Sequence, residues 1–343
     1  MSKSSLYMGV ESSCDETAIA VIDGNNQVLS SEIATQTDLH KVFGGVVPEV
    51  AARKHLQMVG PLCQEALSKA GATAANLDAV IVTQGPGLIG SLLVGVSFAK
   101  GFSLATGLPL VPVDHVHAHV HGALLSLDTP EDQLFPALSL VVSGGHTNLY
   151  YMKDSVSYEL IGYTIDDACG ESFDKVAKLL GLSYPGGPIV EKRARDGDAS
   201  AIPMPKMMEQ KDRLEFSYSG LKTHVSYLLQ KRQDPLAATD INNICAAFQE
   251  EALGQLVRKL VQACQVFPQC QSVIVAGGVA ANQRFRQLTD QYLSIPTYFP
   301  KLTYCADNAA MIAAYGAALI RKDSALLSSH EVTWDAYSRY SFG

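Results

Sequence analysis

Short apolar segments bounded by polar turns alternate with longer segments of helical periodicity along most of the chain. In the first third, the apolar segments predict strands and the periodic segments predict helices. The predicted strands cover residues 6–10, 17–22, 27–34, 77–83 and 110–113, and the predicted helices cover about residues 48–70 and 88–105. Strands that alternate with helices indicate an α/β fold with a mainly parallel sheet.

The pattern starts again after a polar linker at residues 129–133. Three predicted strands repeat the opening of the chain in outline: an apolar strand, a turn of small polar residues, a threonine and a second strand. These strands cover residues 137–142, 147–151 and 158–163, with a fourth at 272–276 and helices at about 167–180, 221–231, 240–266, 280–292 and 307–320. Residues 181–216 are predicted to be irregular.

This repetition predicts two copies of one α/β lobe, residues 1–132 and 133–343, with the active site between them. The last helix is a candidate to return to the first lobe. A chance likeness of two hairpins is the alternative.

Composition and charge limit the classes of function that the chain could have. The chain has 343 residues, 47% of them hydrophobic and 17% charged, which suits a two-lobed α/β enzyme. The net charge of −8 argues against a chain that binds nucleic acid unaided, because phosphate binding normally requires a basic surface.

Three observations favour a cytoplasmic protein that does not cross a membrane. The seven cysteines are scattered without a Cys-x-x-Cys pair, which predicts reduced thiols. Met1 to Ser5 lead directly into a predicted strand, so no signal peptide is visible. The most apolar run, residues 88–108, contains Lys100 and four glycines, which favours a buried helix over a membrane span.

Four of the nine histidines lie within seven positions: His115, His117, His119 and His121. Imidazole is a common ligand for transition metals. A strand would place all four rings on one face, whereas a helix would pair His115 with His119 and His117 with His121. Because the cluster lies between a predicted strand and a helical pattern, we expect one such pair to bind metal. A solvated histidine run is the alternative.

Asp307 begins the last predicted helix and has two interpretations. It could be the helix N-cap. It could also be the third metal ligand beside two histidines, which would leave coordination positions open for substrate.

Two turns at equivalent positions of the repeat are candidates for nucleotide chemistry. Residues 143–147 contain the adjacent glycines Gly144 and Gly145, whose amides can approach an anion closely. The counterpart at residues 11–17 is acidic. Asp15 and Glu16 there would face phosphate through a bridging cation or act as a general base, unless they form a solvated turn.

Two further glycine pairs, Gly186-Gly187 and Gly277-Gly278, are weak evidence for nucleotide binding when each is taken alone. The second follows a predicted strand and opens a helix, where an anion or a base could bind. Neither is a P-loop or a Gly-x-Gly-x-x-Gly fingerprint.

Taken in order, these motifs resemble the TsaD family. The matching segments cover residues 11–17 (ESSCDET), 44–49 (GGVVPE), 85–88 (GPGL), 115–119 (HxxxH), 140–147 (LVVSGGHT), 166–167 with 173–175 (DD, FDK), 184–188 (YPGGP), 216–223 (FSYSGLKT), 276–282 (AGGVAAN) and 307–308 (DN). They span nearly the whole chain, and His117 and His121 depart from the family pattern. The tail from about Asp323 matches poorly.

The resemblance implies a duplicated fold of the actin, hexokinase and sugar-kinase (ASKHA) type. It implies transfer of a threonylcarbamoyl group from threonylcarbamoyl-AMP to the exocyclic amine of the adenosine 3′ of the anticodon, in tRNAs that read ANN codons. Bacterial members of the family act with TsaB and TsaE on an intermediate made by TsaC. No membrane is involved.

The resemblance also implies the site residues. One iron or zinc ion (Fe²⁺ or Zn²⁺) would bind His115, His119 and Asp307. The adenylate contacts would be Val141, Val142, Ser143, Gly144, Gly145, Asp174, Gly187 and Asn282. Asp15 and Glu16 are candidates for the base, because an aromatic amine is a poor nucleophile that requires a base or strong positioning.

Two other functions stay open at the sequence level. A phosphotransferase acting on a sugar or carboxylic acid would share the fold, but such kinases hold Mg²⁺ through oxygen ligands, unlike a histidine pair with Asp307. A metallopeptidase has less support, because the chain has no His-Glu-x-x-His motif.

Overall fold

The protein folds into two compact units in a computed structural model that describes residues 5–210, 212–231, 234–328 and 330–340. Unit 1 comprises residues 1–127 and 301–343, and unit 2 comprises residues 128–300. The final helix and the tail therefore belong to unit 1. The predicted second lobe, residues 133–343, therefore extends too far at its end, whereas the expectation that the last helix could return to the first lobe agrees with these units.

The described residues form ten strands and eleven α-helices. The strands are β1 (Leu6–Glu11), β2 (Glu16–Asp23), β3 (Val28–Thr35), β4 (Ala79–Gly85), β5 (Leu110–Asp114), β6 (Ala137–Val142), β7 (Thr147–Met152), β8 (Tyr158–Tyr163), β9 (Ser272–Ala276) and β10 (Thr297–Tyr298). The helices are α1 (Thr37–Lys41), α2 (Pro48–Lys69), α3 (Ile89–Thr106), α4 (His115–Leu124), α5 (Glu131–Leu134), α6 (Cys169–Leu179), α7 (Gly186–Ala194), α8 (Ser219–Gln230), α9 (Ala238–Val266), α10 (Gln283–Tyr292) and α11 (Ala309–Lys322).

The two units contain sheets of the same topology, which confirms the predicted duplication. In unit 1 the strand order is β3-β2-β1-β4-β5, and in unit 2 the order β8-β7-β6-β9-β10 is equivalent. In each sheet the first three strands are antiparallel and the last two run parallel to the first. The carboxyl ends of three parallel strands therefore meet at one edge of each sheet, where such folds bind ligands.

Alternating residues of β2 explain how helices cover both faces of the unit 1 sheet. Ile19 and Val21 pack in the core with residues of α2 and α3, whereas Ala18 and Ala20 pack against the start of α11. Small residues let α11 lie close to the sheet, because a Cβ atom on Gly9 would stand only 2.3 Å from the carbonyl oxygen of Ala309. This close packing fixes the start of α11 beside the end of β1.

Helix α3 has one buried face and one exposed face, so the prediction of a buried helix was wrong for its outer side. Leu92, Val96 and Ala99 are buried at helical spacing, whereas Leu93 and Leu104 are exposed. The sheet and α2 can cover only one side of the helix. Within the described part of the chain, α3 alone is long and apolar enough to cross a membrane by length and composition.

Helix α7 was missed because its start is rich in glycine and proline. Gly186, Gly187 and Pro188 form its first turn, where proline is tolerated since the first amides of a helix have no intrahelical partner. From the sequence, residues 181–216 are predicted to be irregular, and α7 lies inside that range. Helix α7 packs against α6 and α9 within unit 2.

Candidate metal centre and nucleotide-binding loops

The histidine cluster forms the first turns of α4, which begins at His115 immediately after β5. Asp114 is its N-cap, and its Oδ1 accepts a hydrogen bond from the amide of His117 at 2.9 Å. The helix places His115 and His119 on one side, with ring centroids 4.8 Å apart. His121 stacks on Tyr315 with ring centroids 4.7 Å apart, and the Tyr315 hydroxyl lies 3.4 Å from Nδ1 of His117.

Asp307 faces the first of these pairs. Its Oδ1 lies 3.2 Å from Nε2 of His119 and 3.7 Å from Nε2 of His115. One ligand atom from each of the three residues lies within 4.8 Å of the others. Both histidines are buried and the carboxylate is half-buried, so the set has the form of a metal site.

The hydrogen bonding of His119 fits a metal ligand. Among the described residues neither ring nitrogen of this buried side chain makes a hydrogen bond of acceptable geometry, and the one close contact of Nε2 is the Asp307 carboxylate at 3.2 Å. A buried polar group without a partner costs free energy, and a coordination bond would offset that cost. Two histidines and one carboxylate suit a borderline transition ion such as iron or zinc.

Asp307 is available for this role because it does not cap α11. The helix begins at Ala309, and the side chain of Asn308 accepts a hydrogen bond from the amide of Met311. The N-cap interpretation of Asp307 was therefore wrong by one residue. Asn308 performs the capping, and the carboxylate beside it points to the histidines.

Glu11, at the end of β1, orients His115 and was not identified as a site residue from the sequence. Its fully buried carboxylate lies 3.0 Å from Nδ1 of His115 and accepts a hydrogen bond from the hydroxyl of Thr83. The hydroxyl of Ser13 lies 3.1 Å from the same nitrogen. A histidine bonded in this way through one nitrogen presents the other to a metal. In the sequence Glu11 ends an apolar strand and begins the segment 11–17, in which only Asp15 and Glu16 were singled out.

The charges of this centre shift the pKa values of His115 and Glu11. Burial alone lowers the pKa of His115, but the charges of Glu11 and Asp307 outweigh it and raise the pKa to about 9. Burial alone raises the pKa of Glu11, but the charge and hydrogen bond of His115 outweigh it and lower the pKa below the ordinary value. Without metal, the pair is therefore ionised at neutral pH.

We expect metal affinity to rise with pH up to about 9. His115 must lose its proton to bind metal, and its pKa of about 9 means that this proton is present at neutral pH in the metal-free chain. Chelator-competition titrations with Zn²⁺ should show binding about tenfold tighter per pH unit below that value. A constant affinity between about pH 6 and 8 would contradict the proton displacement.

Asp15 and Glu16 lie near this centre, where Asp15 ends the turn after β1 and Glu16 begins β2. Burial and the neighbouring charges of Asp307 and Asp15 raise the pKa of Glu16 to about 9, so it carries a proton at neutral pH. Burial and the charges of Asp15 and Asp307 also raise the pKa of the Cys14 thiol well above its ordinary value. Cys14 is therefore neutral and unsuited to act as a thiolate.

In unit 2, the turn between β6 and β7 has the form of an anion cradle. The hydroxyl of Ser143 accepts hydrogen bonds from the amides of Gly145 and His146 at 3.4 and 3.2 Å. A Cβ atom on Gly144 or Gly145 would meet nothing within 4 Å. The turn thus leaves open space beside its backbone, and its role as a phosphate cradle stays a prediction.

One more predicted adenylate contact, Asn282, begins a helix shortly after the end of β9. Asn282 is the N-cap of α10, accepting from the amide of Phe285 and donating to Gln249. Gly277 has φ of +89° and approaches β6 so closely that a Cβ would stand 2.4 Å from the carbonyl oxygen of Val142. Val141 pairs with Ala276 across β6 and β9.

Asp174 and Gly187 are joined through the start of α7. The carboxylate of Asp174 accepts a hydrogen bond from the amide of Gly186 at 2.7 Å, which fixes the turn that carries Gly187. A Cβ on Gly187 would meet nothing within 4 Å, whereas one on Gly186 would collide with α6. Gly186 is therefore required for packing, and Gly187 borders open space.

The duplicated topology defines the class of protein. The chain aligns with component A of the (R)-2-hydroxyglutaryl-CoA dehydratase of Acidaminococcus fermentans (13% identity, 92% of this chain, 99% of that chain, TM-score 0.53). It also aligns with the activator of the 2-hydroxyisocaproyl-CoA dehydratase of Clostridium difficile (12% identity, 93% and 97% covered, TM-score 0.51). At these identities the likeness shows the fold, which is of the ASKHA type.

Comparison of the sequence identifies a family, whereas the structural likeness shows only the fold. The model of the family described as "TsaD: tRNA N6-adenosine threonylcarbamoyltransferase" matches residues 27–314. Proteins with that enzyme name are 47% identical in Symbiobacterium thermophilum (91% of this chain, 90% of the relative) and 43% identical in Bacillus subtilis (93% and 92%). The chain belongs to the TsaD family and is a transferase of tRNA modification.

Proposed function

We propose that this enzyme transfers a threonylcarbamoyl group from threonylcarbamoyl-AMP to N6 of the adenosine 3′ of the anticodon in tRNAs that read ANN codons, releasing AMP. The family match and the curated relatives support the tRNA modification. The carrying observation in the structure is the convergence of His115, His119 and Asp307, which distinguishes this chain from a Mg²⁺-dependent kinase of the same fold.

Unit 2 supplies the adenylate contacts in this proposal. The amides of Gly144 and Gly145 hold the phosphate in the open space beside their turn, and the Gly145 amide exchanges its 3.4 Å hydrogen bond to the Ser143 hydroxyl for one to the phosphate. Asp174 fixes the turn that carries Gly187, and Asn282 begins α10 shortly after the end of β9. Val141, Val142 and Ser143 lead the chain into the cradle.

Unit 1 supplies the metal centre. His115, His119 and Asp307 hold one divalent transition ion, Fe²⁺ or Zn²⁺, with Glu11 fixing the ring of His115. When bound, such an ion supplies Lewis acidity toward the carbonyl of the carbamoyl group. Three protein ligands would leave the ion able to accept an oxygen of the substrate as a further ligand.

Asp15 is the better of the two candidate bases. Glu16 is protonated at neutral pH, because burial and nearby carboxylates raise its pKa to about 9. A side-chain hydrogen bond joins Glu16 to Asp15, so Glu16 helps to hold the Asp15 side chain in place. Asp15 then accepts the proton that N6 loses as it attacks the carbonyl, and AMP departs.

The product separates this function from its alternatives. We expect the chain, supplied with its partners, to release AMP only when tRNA and threonylcarbamoyl-AMP are both present. A sugar or carboxylic acid phosphorylated from ATP by the purified chain would favour the kinase instead. Cleavage of a glycoprotein that a chelator abolishes would favour the metallopeptidase.

The partners TsaB and TsaE, and TsaC as the source of the intermediate, are part of the proposal, as is a cytoplasmic location. Exposed apolar side chains on the outer helices of unit 1 support a protein partner there. Leu56 on α2 is 70% exposed, and on α3 Leu93 and Leu104 are 46% and 71% exposed. We propose that TsaB covers the α2 and α3 surface, because exposed apolar patches of this kind mark protein interfaces.

We expect tight tRNA binding only with these partners. The net charge of −8 opposes encounter with a phosphate backbone. The lysines near the nucleotide loops are few: Lys175 pairs with Asp167 and Glu171, Lys222 pairs with Asp167, and Lys178 is exposed. The measurement is a tRNA titration with and without TsaB and TsaE at several salt concentrations. Tight, salt-sensitive binding by the isolated chain would refute the requirement.

A further inference from the structure

The C-terminal strap, defined as residues 330–340, lies against unit 1 and is held there by three side chains of its own. Val332, Trp334 and Ala336 pack against the core formed by β1, β4, α2 and α3. The ammonium of Lys100 on α3 lies 4.6 Å from the ring centroid of Trp334 and donates to its carbonyl oxygen. The strap is thus an integrated part of unit 1, although its sequence carried no recognised motif.

The strap also pairs with the end of β4. The amide of Tyr337 donates to the carbonyl oxygen of Gln84 at 3.2 Å, and the side-chain amide of Gln84 donates to the carbonyl oxygen of Asp335 at 2.9 Å. The backbones approach so closely that a Cβ on Gly85 would stand 2.2 Å from the carbonyl oxygen of Tyr337. These contacts place Tyr337 at the sheet edge where β5 leads into α4.

Two tyrosine hydroxyls of the strap meet the carboxylate of Asp114. The Tyr337 hydroxyl donates to Oδ2 at 2.7 Å. The Tyr340 hydroxyl lies 3.0 Å from Oδ1 and 2.9 Å from Oδ2. The Asp114 side chain is only 13% exposed, so these protein donors replace much of the water that a carboxylate would otherwise bind.

Asp114 is the residue through which the strap can act on the metal centre. It caps α4 by accepting from the amide of His117, and the next residue is the metal ligand His115. A carboxylate fixed by two hydroxyls holds the first turn of α4 in one orientation. That orientation determines where the Nε2 atoms of His115 and His119 lie relative to Asp307.

We propose that Tyr337 and Tyr340 are positioning residues for the metal centre, acting through the N-cap Asp114. This inference rests on the proposed metal site. Neither tyrosine binds the metal. Their hydroxyls hold the Asp114 side chain in place, and this N-cap holds the first turn of α4, which carries His115 and His119. Outer-shell hydrogen bonds position ligands in the same way at other metal sites.

The test uses the full-length chain with Tyr337→Phe and Tyr340→Phe combined, which removes both hydroxyls and keeps both rings. Tyr292→Phe is the matched control, because Tyr292 is an exposed residue of α10 in unit 2. We expect Zn²⁺, measured by chelator competition, to bind about tenfold more weakly in the double variant and unchanged in the control. The amide of His117 should exchange with solvent faster, while strands β1 and β4 keep their protection.

The outcomes separate this inference from the proposed function. Wild-type Zn²⁺ affinity in the double variant would overturn the positioning role. If the double variant fails to fold, Tyr340→Phe alone carries the same expectation with a smaller decrease. His115→Ala is measured in parallel: if it loses Zn²⁺ while the double variant does not, only the strap inference fails. If His115→Ala retains Zn²⁺, the metal centre itself is misassigned.

Discussion

His115→Ala is expected to abolish metal binding and tRNA modification together. The substitution removes one of three converging protein ligands, and a loss beyond about a hundredfold in metal affinity is expected, since weaker outer-shell changes already cost 10- to 100-fold. Elemental analysis of the purified variant, combined with a transfer assay, measures both effects. Full metal content in this variant would refute the ligand assignment.

The matched control is His117→Ala, two residues further along the same helix. His117 lies on the Tyr315 side of α4, so its loss should leave metal content and transfer close to wild type. A second variant is needed to distinguish loss of metal from loss of folding, because His115→Ala also leaves the buried charge of Glu11 without its partner. Asp307→Asn removes a ligand at a half-buried position and should lose metal without that penalty.

Gly145→Val should block the binding of AMP-type ligands to unit 2. The Cβ of this residue would enter open space beside the cradle, so the free chain accommodates it while a bound phosphate collides with it. Steric overlap of this kind costs about 1–3 kcal/mol, which corresponds to a loss of affinity of about fivefold to 150-fold. Isothermal titration calorimetry with AMP measures the effect.

Gly101→Val on α3 is the control for the cradle. It also projects into open space, but from a helix of unit 1, and should leave AMP affinity unchanged. Unchanged AMP binding in Gly145→Val would eliminate the anion-cradle interpretation while leaving the metal centre untouched.

The alternation of apolar and polar residues was sufficient to predict the duplicated sheet. Strands β1 to β3 and β6 to β8 repeat one pattern of hydrophobic run, small polar turn and hydrophobic run. The histidine pair was reduced to two alternatives by helical spacing alone. The family resemblance then favoured His115 with His119, and in the structure Asp307 faces that pair whereas Tyr315 contacts the other pair.

The features that the sequence did not reveal are set by contacts between distant parts of the chain. Glu11 acquires its role only because β1, β4 and α4 meet, bringing Thr83 and His115 to one carboxylate. The raised pKa of Glu16 arises from burial together with Asp307, nearly 300 residues away. Helix α7 was missed because glycine and proline in its first turn resemble a loop.

The most direct test of the proposed reaction is the mass of the nucleosides in tRNA after incubation with threonylcarbamoyl-AMP, this chain and its partners. The account predicts a threonylcarbamoyl addition to the adenosine 3′ of the anticodon in tRNAs that read ANN codons. It also predicts loss of that addition in His115→Ala and its retention in His117→Ala. Unmodified adenosine with the wild-type chain, or full modification by His115→Ala, would contradict the proposed metal-dependent transfer.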